Sequence, residues 1–310
     1  LKILTELNPT HKAIMEGENR TGYLINKETF MKKFLVVFDG YKMSESSMQY
    51  AIQLTQMANA HLVGVFLDEI IYHTYSVYKV MSNAADFQKK LAELDKRDQK
   101  KRDNAVLTFQ KACELAKINF SIHRDTSIAF QELKHESIFA DLVIIDEYET
   151  FSRFKESLPT SFVKELLGDV QCPVLVTPAA FKKIDRIVLL YDGKPYALYA
   201  IKMFSYVLGC LRDLPVEIIT VKDEKKAGRH LPDKQLMNEF IKRHFDNVKY
   251  TVLKGAPEQQ IVEYLRSSGQ NVLVVLGAYQ RSDISRWFKV SMADVLMEAL
   301  EAPLFIGQHR

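Results

Sequence analysis

The sequence predicts an α/β protein of two tandem doubly wound domains, each built on a parallel five-stranded sheet. Strand-like apolar runs alternate with amphipathic helical runs, and the plan of the first half recurs in the second. The runs themselves are of one kind. Four or five consecutive apolar residues end in Asp-Gly and lead into helical periodicity, as a central parallel strand covered on both faces should.

The first repeat opens KFLVVFDGYKMSESSMQYAIQLTQMA, a strand over Phe34 to Phe38, a turn at Asp39-Gly40 and an amphipathic helix. Strands follow at His61 to Leu67 and Phe120 to His123, with helices around Leu91 to Ala116 and Ser127 to His135. It closes with DLVIIDEY (Asp141 to Tyr148), a helix near Phe162 to Leu167, and CPVLVTP (Cys172 to Pro178). The second repeat opens RIVLLYDGKPYALYAIKMFSYVLG, with its strand at Ile187 to Tyr191 and its turn at Asp192-Gly193. Strands at Val216 to Thr220 and Lys249 to Leu253 alternate with helices at Lys234 to His244 and Glu258 to Arg266. The end repeats the first: NVLVVLGAY (Asn271 to Tyr279), a helix from Met292 to Leu300, and APLFIGQ (Ala302 to Gln308). Domains are therefore expected at 31–180 and 181–310. Residues 1–30 carry scattered apolar positions unlike a secretory signal, and read either as an upstream or added extension or as a regulatory arm. Tyr72, Tyr75 and Tyr78 recur at a spacing that makes a packing stripe on a helix.

Composition narrows the function classes. With 310 residues, 47% hydrophobic and 26% charged, the chain has the make-up of an ordinary globular protein. A net charge of +3, with both signs interspersed, argues against a nucleic-acid or anionic-membrane partner. No apolar stretch reaches the ~18 residues of a membrane span, and the chain reads as cytoplasmic. Cys113, Cys172 and Cys210 are far apart and read as small core residues. No histidine stands in a recognisable nucleophile–base motif, and His123 alone falls at a plausible strand edge. No catalytic residue is assigned.

In parallel α/β sheets ligands sit outside the carboxyl ends of the strands. Asp39 and Asp192 end the first strand of each repeat, where each can contact a ligand or fix the turn and cap the following helix. A phosphate cradle after the fourth strand needs glycines for close backbone approach. The first repeat has Asp146, Glu147, Tyr148 and Glu149 there, then Pro159-Thr160; the carboxylates disfavour a triphosphate, and read either as a solvated loop or as cation ligands. The second has Gly277, Ala278, Tyr279, Gln280 and Arg281, then Val290-Ser291, and is the better candidate, with Arg281 able to meet a phosphate.

FLVVFDG, DLVIIDEYETFSRFKESLPTS and CPVLV, with IVLLYDG, VLVVLGAYQRSDISRWFKVS and APLFI, resemble the universal stress protein (UspA-like) family over Met31 to Gln308. The resemblance implies an adenine nucleotide alpha hydrolase-like fold in tandem, an intramolecular pseudo-dimer, often with the last strands of the two domains paired antiparallel, and further self-association or protein partners. The family's nucleotide loop runs Gly, two residues, Gly, nine residues, Gly, then Ser or Thr. Its places hold Asp146, Glu149, Pro159 and Thr160 in the first domain, and Gly277, Gln280, Val290 and Ser291 in the second. By that resemblance the cofactor-binding positions are Asp192, Gly193, Gly277, Arg281 and Ser291, with Asp39, Gly40, Val65 on the adenine side, and Thr160. The expectation is a non-catalytic stress-response protein binding a ligand or partner. The alternative is an adenine-nucleotide sensor taking ATP or AMP with Mg²⁺ mainly through the second domain, with slow hydrolysis.

Overall fold

The computed structural model describes residues 32–39, 43–67, 87–125, 129–151, 155–223, 230–269, 271–278 and 291–308. The tyrosine stripe, residues 1–30, Gly40 and Arg281 lie outside them. The first five strands are β1 (Lys33–Asp39), β2 (His61–Leu67), β3 (Asn119–Asp125), β4 (Leu142–Asp146) and β5 (Val174–Thr177). The second five are β6 (Arg186–Leu190), β7 (Val216–Lys222), β8 (Val248–Lys254), β9 (Val272–Gly277) and β10 (Leu304–Gly307). Helices α1 (Glu45–Ala58), α2 (Phe87–Ala116), α3 (Ala129–Glu136) and α4 (Ser161–Asp169) belong to the first half. Helices α5 (Pro195–Val207), α6 (Lys234–Ile241), α7 (Pro257–Ser267) and α8 (Met292–Ala299) belong to the second.

The strands form one ten-stranded sheet in the order β3-β2-β1-β4-β5-β10-β9-β6-β7-β8. Each half follows the same winding, and neighbours within a half are parallel. The two five-stranded sheets expected from the repeats are joined into one at the last strand of each, by the antiparallel pairing that the resemblance implies. β5 and β10 pair antiparallel, with Leu304 opposite Val176 and Ile306 opposite Val174, so the sheet is mixed. The reason is an edge problem. VLVT and LFIG are short and wholly buried, and an unpaired edge there would strand backbone N–H and C=O groups away from water. Pairing the two edges satisfies both. The outer edges β3 (NFSIHRD) and β8 (VKYTVLK) carry the polar and charged residues that discourage further pairing.

Alternating side chains of the central strands feed two cores. On one face Phe34, Val36 and Phe38 pack with Tyr50 and Leu54 of α1, Phe109 of α2, Phe204 of α5 and Met237 of α6. On the other, Leu35 and Val37 pack with Leu133 of α3, Leu166 of α4, Leu265 of α7 and Leu296 of α8. Both cores run across the β5–β10 join: Phe305 of β10 is fully buried with its ring 5.3 Å from Phe204, among the residues that include Leu175 of β5. Lys32–Arg310 is one compact unit. A charge contact ties its halves: Lys32 Nζ donates to the Val207 carbonyl at the end of α5, 2.9 Å away.

The cysteines are free, and burial pushes the Cys113 thiol up to about 12, so it stays protonated. Among the described residues no helix is long and apolar enough to cross a membrane.

Candidate functional site

At the carboxyl end of the first half, β1 delivers Asp39 and β4 delivers Asp146 and the turn that follows. The β4 run of apolar residues ends at Asp146 because its carboxylate is spoken for: Oδ2 accepts from Ser44 Oγ at 2.6 Å and Oδ1 from the Tyr148 amide at 2.8 Å. Ser44 is itself the N-cap of α1, accepting from the Ser47 amide at 3.2 Å. Glu147 turns elsewhere, its amide donating to the Thr177 carbonyl at 3.0 Å. Burial first, then the neighbouring Asp146 charge, push its carboxyl up to about 8, although a bond from the Ala179 amide works the other way.

Glu149 folds inward. Its Oε1 accepts from the Thr150 and Phe151 amides, each at 3.0 Å, and its backbone carbonyl accepts from Thr160 Oγ1 at 2.5 Å. Asp39 and Glu149 are 1% and 7% exposed, which places two carboxyls in the interior. Burial first, then the Asp39 charge, push Glu149 up to about 7. Thr160 is buried and also N-caps α4, accepting from the Val163 amide at 3.2 Å. Val65 lies buried inside β2 among the core residues on the α3 and α4 face. The solvated-loop reading of this acidic stretch is corrected for Glu147 and Glu149, which are buried; Tyr148 between them is exposed. The three carboxylates have separate partners, and among the described residues no group of three or more His, Cys, Asp or Glu side chains is placed to hold a metal ion.

The second half is arranged differently. Asp192, two residues beyond β6, is partly exposed and accepts from the Lys194 amide at 3.0 Å and from Tyr196 Oη at 2.6 Å. It shapes the turn into α5, whose start is reinforced by Pro195 in its first turn. Gly193 has φ +87, the left-handed region that a side chain disfavours. Gly277, at the end of β9, has a packing reason to be glycine: a Cβ there would lie 2.4 Å from the Tyr196 carbonyl oxygen. Its in-register neighbour Gly307 on β10 meets Ala200 in the same way, at 2.6 Å from its Cα. The pair lets α5 lie directly on the sheet. Ser291 caps α8, accepting from the Ala293 amide at 3.3 Å while its own amide donates to Asp294 at 3.2 Å.

The structure therefore brings Asp39 together with the Glu149 turn, which Thr160 fastens to α4, and it brings Asp192 and Gly277 to opposite ends of one residue, Tyr196. Sequence reasoning did not single out Tyr196, and it took Glu149 only as a member of the acidic stretch and a place in the loop, not as a residue that turns inward. A Glu inside an acidic stretch and a Tyr in an amphipathic helix carry no local sign of these roles. A Ser–His contact was also missed: His61 Nε2 lies 3.0 Å from Ser121 Oγ, near the amino ends of the strands. Next to it, His123 Nδ1 meets the Glu136 carboxylate in a short contact, and Lys33 Nζ is 3.5 Å from the same carboxyl. The corresponding place in the second half holds Glu217, which accepts from Arg186 at 2.7 Å, Tyr264 at 2.6 Å and Lys249 at 2.9 Å.

Comparison with known proteins gives a consistent answer. No family model matches the chain. It is 21% identical over 274 residues to the universal stress protein Slr1230 of Synechocystis, covering 82% of this chain and 92% of that protein. Among solved structures, a universal stress protein from Archaeoglobus fulgidus superposes with a TM-score of 0.63 at 16% identity, covering 89% of this chain and 98% of that one. A putative universal stress protein from Pseudomonas aeruginosa gives 0.54 at 15% identity, over 89% and 93%. These structural likenesses carry the fold, and the sequence match spans most of both chains. Together they place the chain in the universal stress protein (UspA-like) superfamily.

Proposed function

We propose that the chain is a non-catalytic stress-response protein that acts by binding a partner or small ligand. Its repeats at 31–180 and 181–310 work as an intramolecular pseudo-dimer, and a cytoplasmic location and self-association belong to the same reading. One observation carries it: in the first half the strand ends are occupied by the protein's own groups. Asp39 and Glu149 are buried there, Asp146 is held by Ser44, and Thr160 is committed to α4 and to the Glu149 carbonyl. A triphosphate would meet buried carboxyls where it needs donors.

A second reading, an adenine-nucleotide sensor using ATP or AMP with Mg²⁺, is favoured in the second half alone. Asp192 is exposed enough to meet a ligand, and Ser291 stands at the start of an eight-residue helix. The test is denaturing extraction of the freshly purified chain with mass spectrometry of what is released, then titration with ATP and AMP in Mg²⁺. The expected result is no nucleotide recovered, no saturable binding at millimolar nucleotide and no hydrolysis. Recovered nucleotide, or binding lost in Ser291→Ala and kept in Thr160→Ala, would overturn the first reading in favour of the second.

A further inference from the structure

The Glu147–Phe151 turn combines features that the ligand reading does not use. Phe151 is 1% exposed and has φ +48, a left-handed backbone on a bulky residue. Something must hold it there. Its ring packs 4.4 Å from that of Phe162 in α4, and its amide donates to Glu149 Oε1. Thr160, through the Glu149 carbonyl, fastens the same turn to the N-terminus of α4. The centre of this arrangement is a carboxyl facing other carboxyls: Asp39 from the end of β1 and Asp146 from the end of β4. From α4 the facing polar group is the uncharged Thr160 cap, and among the described residues no lysine, arginine or histidine forms an ion pair with Glu149.

We propose that this turn is a proton-operated latch over the carboxyl end of the first half, closed when the Glu149 carboxyl is neutral beside Asp39 and released when it ionises. The balance of forces is visible in the geometry. The Thr150 and Phe151 amides favour a carboxylate at Oε1, but burial and the Asp39 charge outweigh them, so the folded protein holds this proton to about pH 7 against an ordinary value of 4.5. Ionisation leaves two buried like charges on strained backbone, and moving Glu149 outward relieves all three. Release also withdraws the Glu149 carbonyl from Thr160, which couples the turn to the cap of α4. The latch rests on the strand ends being the binding end, but its test reads the turn itself, so a blank in the nucleotide titration leaves it standing.

The experiment is amide hydrogen exchange on the full chain from pH 5.5 to 8.5, each rate normalised to its intrinsic value. The peptide carrying Thr150 and Phe151 is compared with one from β10. The wild type is expected to lose at least tenfold protection at the turn between pH 6 and 8, with β10 unchanged. Glu149→Gln keeps an acceptor for the amides and offers Asp39 a donor, and is expected to stay protected throughout. Glu147→Gln separates the neighbouring buried carboxyl and is expected to keep the wild-type profile. Asp39→Asn removes the like charge that opposes ionisation of Glu149 and is expected to move the midpoint to lower pH, a move to higher pH counting against the proposal. Turn protection independent of pH in the wild type, a Glu149→Gln profile that tracks it, or a midpoint unmoved by Asp39→Asn would overturn the proposal.

Discussion

Replacing Gly277 by alanine separates a glycine kept for phosphate approach from one kept for packing. The added Cβ would lie 2.4 Å from the Tyr196 carbonyl oxygen, 2.7 Å from its carbonyl carbon and 2.7 Å from Cδ2 of its ring. A comfortable carbon–oxygen contact is about 3.3 Å, so β9 and the first turn of α5 must part by roughly 0.9 Å. The obstacle is backbone in a helix that is seated a second time on Gly307, so it cannot simply swing away. Overpacking of this kind costs about 1–3 kcal/mol, and the rigid neighbour argues for the upper part of that range. Urea denaturation followed by circular dichroism reads the cost directly. Gly168→Ala is the control: nothing lies within 4 Å of its added Cβ, and alanine in α4 should raise stability by about 0.5–1 kcal/mol. If Gly277→Ala unfolds at the wild-type urea concentration, the packing account of this glycine is wrong.

Other substitutions test other parts of the structure. Phe305→Ala removes a fully buried ring at the β5–β10 join and should cost about 3–5 kcal/mol in chemical denaturation, a smaller effect meaning that the two halves do not share a core there. Thr160→Ala should cost about 1–2 kcal/mol in the same assay, since it loses both the α4 cap and the bond to Glu149. Glu217→Leu should cost about 3–5 kcal/mol by leaving Arg186, with only 11% of its side chain exposed, without its carboxylate. Burial alone would raise the Glu217 carboxyl, but hydrogen bonds from Thr251, Tyr264 and Lys249 outweigh it and hold it below the ordinary 4.5. Its contribution is therefore present above that pH and lost as acid titrates the folded protein, so the wild-type loss of stability below pH 4.5 should be shallower in the variant. Glu149 has the opposite sign: its raised value makes the folded state bind the extra proton between 4.5 and about 7, so stability falls as pH rises through that window and Glu149→Gln should remove the fall.

Much of the fold was legible because its signals are local. FLVVF and IVLLY before Asp-Gly, and the apolar runs of β4, β9 and β10, mark buried parallel strands without reference to the rest of the chain. The single ten-stranded sheet was not legible from such runs. VLVT and LFIG look like any inner strand, and only their meeting shows that neither half keeps an inner edge. The binding end shows the same divide. Asp39, Asp192 and the caps Thr160 and Ser291 follow from position, but the fate of Glu149 depends on Asp39 in β1 and on Thr160 eleven residues on. A run of acidic residues after a strand ordinarily reads as solvated, and nothing local reports that one of them turns inward. Gly277 likewise meets Tyr196, eighty-one positions earlier in the chain, a contact that residue spacing does not encode.

The antiparallel seam at β5 and β10 has a geometric consequence. Because strand direction reverses there, the carboxyl ends of the two halves emerge on opposite rims of one continuous slab. Asp39 and the Glu149 turn belong to one rim, Asp192 and Ser291 to the other. A small ligand on one rim is out of reach of the other, and the β5–β10 seam and the shared cores join the two.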